Sequence, residues 1–147
     1  MDALTLRLVV YRHFVSTGTA PMRQALIDIV GDADSTDALL RELHDAHMIV
    51  LDNRPHREGE IRMALPFAAE ATDFRVTTDA GAWWANCAWD SLAIVAALHT
   101  DARITSTWTD TNEPLHLTIT DGQLGHADGY IHFAIPAAQW WDDIVLT

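Results

Sequence analysis

Apolar residues recur at helical spacing through the first 48 residues and at strand spacing from residue 103 onward. This segregation of periods limits the fold more than any other feature, because helices gathered early and strands gathered late predict an α+β arrangement. Leu4, Leu6, Leu8, Val9, Tyr11, Phe14 and Val15 mark a first helix that Ser16-Thr17-Gly18-Thr19 ends. Pro21 opens a second, from Met22 to Val30, with Met22, Ala25, Leu26 and Ile29 on one face before Gly31 stops it. Asp34 or Ser35 caps a third through Met48, with Leu39, Leu40, Leu43 and Ala46 toward the core. Ile49-Val50-Leu51 and Ile61 to Leu65, joined by the polar turn Asp52 to Glu60, complete a winged helix-turn-helix pattern over residues 1–65.

Residues 66–147 read as a second subdomain, a helix on a small antiparallel sheet. Pro66 opens a connector through Asp73, and Phe74 to Thr78 has the composition of a short strand. Asp79-Ala80-Gly81 then leads into a helix expected to run to about Leu98 and to carry Cys87 in its first turns. Arg103 to Thr109 alternates Ile104, Ser106 and Trp108 against threonines, the period of a half-buried strand. Asp110 to Pro114 is a turn, Leu115 to Thr120 the returning strand, Asp121-Gly122 a further turn, and Tyr130 to Ile135 a last strand. An unpaired strand edge at the C-terminal side would favour a homodimer.

Charge excludes some partners. Nine basic residues, none of them lysine, face 21 acidic ones for a net charge of −12, which repels nucleic acid and anionic membrane surfaces. The expected recognition helix carries Asp37, Glu42 and Asp45 against Arg41, and only the wing is basic, through Arg54, Arg57 and Arg62. A packing role for the helical subdomain is therefore expected over nucleic-acid binding. No apolar run approaches the roughly 20 residues of a membrane span, and Met1-Asp2-Ala3-Leu4 lacks a basic signal start, so the expected location is cytoplasmic. Of the eight histidines, His13, His44, His47, His56, His99, His116, His126 and His132, only His44 and His47 have ligand spacing, and that pair reads as a solvated helix face. No cofactor is expected.

One cysteine rules out an internal disulfide and any Cys-x-x-Cys site. Asp90 follows Cys87 by three residues, a spacing that puts thiol and carboxyl on adjacent helical turns, where a proton can pass between them. A helix N-terminus would lower the thiol pKa, while Asp90 as an anion would raise it. The plainer alternative is a buried cysteine among Ala and Trp with a solvated acid beside it.

Trp84-Ala85-Asn86-Cys87-Ala88-Trp89-Asp90-Ser91-Leu92 resembles the active-site helix of the organomercurial (alkylmercury) lyase family, whose pattern is Cys-Ala-x-Asp-[Ser/Thr]-Leu. Ala102 to Trp108, Pro114 to Ile119, Ile131-His132-Phe133 and Trp140-Trp141-Asp142-Asp143-Ile144 are similar to the family's later segments, and an N-terminal winged-helix-like part belongs to it as well. The resemblance implies protonolysis of a carbon–mercury bond, with Cys87 as mercury-binding nucleophile and Asp90 as proton shuttle. Trp83, Trp84, Trp89 and Trp108 are the candidate substrate contacts, and core packing is the expected role of at least two of the first three. Trp108 stands where the family has a structural cysteine. The family's second mercury-binding cysteine lies beyond the segment that Trp141 to Thr147 resembles, and this chain supplies no second thiol. A thiol from solution or from a partner chain would then complete the soft-ligand pair. Two other readings remain: acid/base or nucleophilic chemistry on another apolar organic molecule, and simple binding of one.

Overall fold

A computed structural model describes residues 1–125 and 128–145; His126, Ala127, Leu146 and Thr147 lie outside the described residues. The elements run α1 (Ala3–Thr17), α2 (Arg23–Val30), α3 (Ala33–Asp45), β1 (Val50–Leu51), β2 (Ile61–Ala64), β3 (Phe67–Ala68), β4 (Phe74–Thr78), β5 (Gly81–Ala85), α4 (Ala88–Leu98), β6 (Ala102–Thr107), β7 (Pro114–Thr120) and β8 (Gln123–Leu124), then a 3-10 turn over Ala137–Asp142. Among the described residues the eight strands form one antiparallel sheet of order β1-β2-β3-β5-β4-β6-β7-β8. The molecule is α+β, as the segregated periods predict.

The three early helices and the β1–β2 hairpin form where periodicity places them, with shifted edges. Asp2 caps α1 by accepting the Thr5 N–H at 2.8 Å, and Asp32, two residues before the expected caps, does the same for α3 through Ser35 at 2.7 Å. The third helix ends at Asp45 instead of Met48 because His47 takes a left-handed conformation (φ 61°) and Met48 N–H turns back to the Leu43 carbonyl at 2.9 Å. The buried stripe of α1 is Ala3, Leu6, Val10 and Phe14, spaced by three and four, while Leu4, Leu8 and Val15 face solvent. On the eight-residue α2 only Leu26 is buried; Met22, Ala25 and Ile29 are exposed, since the helix meets the core along a single turn. Ala46, expected inside, is exposed as well.

One apolar core runs through both halves of the chain, from Leu6 and Phe14 through Phe67, Val76 and Trp83 to Ile94 and Ile104. Residues 65 and 66 lie between β2 and β3, which pair Met63 with Ala68, and β3 continues onto β5 through Phe67 and Ala85. Tyr11 adds a cross-link, its hydroxyl donating to the Leu65 carbonyl at 2.7 Å. Burying a Phe or Leu side chain contributes about 1.5–3 kcal/mol, so this shared core ties the N-terminal helices to the sheet.

Two further expectations fail. Residues 81–85 are a strand, not the start of the cysteine helix: Thr78 pairs with Gly81 across the two-residue turn Asp79-Ala80, and β5 pairs along its length with β4. Two adjacent tryptophans favour the pleated surface, where each meets a cross-strand neighbour. Tyr130 to Ile135 is not a strand; it runs without a ladder, and Phe133 contacts aromatic side chains instead of a neighbouring backbone.

Candidate functional site

Strand β5 delivers the chain to the site. Alternation along it turns Trp83 and Ala85 into the core and Trp84 to the other face of the sheet. After Ala85 the backbone passes Asn86 and reaches Cys87 in an extended conformation (φ −149°, ψ 179°), and α4 begins at Ala88. Cys87 is thus the N-cap of α4. Its carbonyl accepts the first helical bond from Ser91 N–H at 3.0 Å, and its Sγ accepts the Asp90 N–H at 3.4 Å, the place an N-cap oxygen normally fills. Helix α4 packs its buried Ser91, Ile94 and Val95 onto the sheet, which fixes the position of the cap.

The thiol and the acid therefore meet as N-cap and third helical residue of α4. Burial pushes the Cys87 thiol above its ordinary range; the backbone bond from Asp90 works against that, and the Asp90 charge adds to it. The expected lowering by the helix N-terminus is outweighed by desolvation. Asp90 is also raised by burial, opposed by hydrogen bonds from Asn86 and from the thiol. Both groups consequently hold protons at higher pH than exposed counterparts would. A carboxyl with raised proton affinity beside a thiol forms a pair between which a proton can move.

Asn86 completes the arrangement. Its Nδ2 donates to Asp90 Oδ2 at 3.1 Å and to the Pro66 carbonyl at 3.0 Å, and its Oδ1 is buried without a hydrogen-bond partner among the described residues.

The four tryptophans separate. Trp83 is 2% exposed and its indole N–H donates to the Phe14 carbonyl at 2.8 Å, so it is a core residue that joins β5 to α1. Trp84, half-buried on the opposite face, lies under the Arg75 guanidinium at 4.4 Å from its ring centre. Trp89, in the first turn of α4, is 57% exposed and meets Phe133 edge-on at 6.5 Å; Phe133 in turn lies 5.1 Å from Trp140. Trp108 closes the β6–β7 connection, its N–H donating to the Glu113 carbonyl at 2.9 Å, and packs so closely on Gly129 that a Cβ there would lie 2.4 Å from the ring. Of the four, Trp89 is the nearest to Cys87 along the chain and belongs to its helix.

Elsewhere, a cleft of about 580 Å³ lies between the end of α3 and residues 141–145, with His47 stacked on Trp141 at 3.9 Å. A second, of about 440 Å³, runs between α4 and the β7–β8 turn. Neither is lined by Cys87 or Asp90. Among the described residues no group of three or more His, Cys, Asp or Glu side chains could hold a metal ion. None of the helices there is long and apolar enough to cross a membrane.

Residues 67–147 match the family model described as alkylmercury lyase. A solved structure described as the mercury-bound form of MerB2 is similar with a TM-score of 0.63 and 25% sequence identity, over 84% of this chain. The chain spans 58% of the length of that protein. No curated protein matches in sequence.

Proposed function

The chain belongs to the alkylmercury lyase family, and from that premise we propose that it cleaves carbon–mercury bonds by protonolysis at Cys87 and Asp90. The observation that carries this reading is the capped corner itself, the chain's single thiol at the start of α4 with its Sγ on the Asp90 backbone, inside the matched segment. Mercury is a soft cation and thiolate its natural ligand. In the proposed reaction the Cys87 thiol gives its proton to Asp90 as sulfur bonds to mercury and displaces the thiolate that escorted the substrate. Asp90 then passes that proton to carbon; the C–Hg electron pair becomes the C–H bond, the hydrocarbon leaves and Hg(II) stays on sulfur. No electron is gained or lost overall.

Cys87 supplies one soft ligand for mercury, and a small thiol from solution can supply a second. Trp89 with Phe133 and Trp140 offers an apolar surface beside the helix start, suited to the organic group. The helical subdomain serves as a packing module: two of the three wing arginines, Arg54 and Arg57, are already paired with Asp52 and Glu70, which favours a scaffold over phosphate contact. The test is benzene release from a phenylmercury salt with excess small thiol. Release by the wild type and none by Cys87→Ser is expected; equal release by both would sink the proposal.

A further inference from the structure

Asn86 is the polar residue of this corner whose pairing is lopsided. Both hydrogens of its amide are used, one on Asp90 Oδ2 and one on the Pro66 carbonyl, while its own oxygen is buried and meets no donor among the described residues. A buried amide oxygen left unpaired is destabilising, so the side chain is placed for what its nitrogen does. The Pro66 carbonyl can only accept. It therefore fixes the amide against a flip, because the reversed orientation would set oxygen against oxygen, and Asp90 always meets N–H and never C=O.

We infer that Asn86 is a positioning residue for the Cys87–Asp90 pair, its amide locked by the Pro66 carbonyl so that one carboxyl oxygen of Asp90 is held and the other is left for proton transfer. The inference rests on the lyase reading proposed above. Asp90 springs from the first turn of α4, whereas Pro66 belongs to the link between β2 and β3, so the amide also ties the acid to an element outside its own helix. A held carboxyl keeps a fixed distance and direction to the thiol, and loss of such alignment costs rate more than binding.

Two measurements on the full chain test this. With phenylmercury as probe and excess thiol, Asn86→Leu is expected to lower kcat by roughly 10²-fold while KM stays near the wild-type value. A kcat for Asn86→Leu equal to that of the wild type overturns the inference and leaves the lyase reading standing; absence of turnover by the wild type overturns the lyase reading itself. The second measurement needs no activity and no folded Asn86 variant. In nitrogen-15 spectra of the wild type, the Asn86 side-chain amide should exchange slowly with water, and Asp90→Ala should speed the exchange and shift its resonances. Exchange as fast as that of surface asparagines would overturn the bridge.

Discussion

Two carboxylates of this molecule, Asp52 buried and Asp90 half-buried, are treated in opposite ways. Asp52, 3% exposed at the turn between β1 and β2, is gripped by Arg54, whose Nε donates to both carboxylate oxygens at 2.9 and 3.1 Å, and its N–H caps the same group at 2.9 Å. Arg57 and Glu70 extend the cluster. Side-chain hydrogen bonds from Arg54 hold Asp52 down to about 2, against burial that would raise it. Among the described residues Asp90 meets no guanidinium, only a neutral amide and a thiol, and burial wins. The lesson is that desolvation alone does not decide an acid's state; the number of charged donors aimed at it does. The first acid is held ionised down to low pH by its donors, and the second keeps a raised affinity for a proton.

Replacing each acid should separate these roles. Asp90→Asn is expected to lower benzene release by about 10²–10⁴-fold, the range for loss of a general acid, with thermal stability kept or raised. Asp52→Asn should do the reverse, costing about 1–3 kcal/mol of stability in urea unfolding through donors left unpaired, with unchanged turnover per folded molecule. A large loss of turnover in Asp52→Asn would break the comparison.

Trp83→Phe probes the link between the regions. It removes one buried hydrogen bond, to the Phe14 carbonyl, and should cost about 1–3 kcal/mol in the same unfolding measurement, with Cys87 alkylation unaffected.

Acid titration of stability sharpens the contrast further. The lowered pKa of Asp52 contributes stability that is complete above the carboxylate's unfolded value and is lost as pH falls toward about 2. Asp90, raised, acts with the opposite sign: its contribution is present below the unfolded pKa and lost as pH rises through the folded one. The melting temperature of Asp52→Asn, relative to wild type, should therefore converge at low pH, and that of Asp90→Asn should converge there too but gain on wild type above it. Parallel curves at every pH would contradict both assignments. The smallest expected effect is kinetic: Asp90→Asn removes a charge that raises the Cys87 pKa, so iodoacetamide alkylation of Cys87 should move to lower pH.

Much of this was legible in the residues. Period separated the helical and stranded halves, and the Cys-Ala-x-Asp-Ser-Leu run identified the pair that the fold brings together at the start of α4. The start of that helix was misplaced because Ala82-Trp83-Trp84-Ala85 has no polar residue to mark a period, and an apolar run of this length fits helix and buried strand equally. The two-residue turn after Phe74–Thr78 was the available signal for a hairpin. Tyr130 to Ile135 alternated like a strand but found no ladder, since its aromatic residue packs on Trp89 and Trp140 instead. Asn86 was unreadable in advance: its meaning depends on Pro66, twenty residues earlier, and on a strand pairing that brings both to one corner.

The family match begins at Phe67, the first residue of β3. That point is the middle of a sheet, with β2 hydrogen-bonded on one side and β5 on the other. A chain cut there would lose the partner of β3, the carbonyl that receives the Trp83 indole and the Pro66 oxygen that steadies Asn86. The thiol corner therefore rests on residues in front of the matched segment, and anyone transplanting it into another scaffold would have to carry those helices and strands as well.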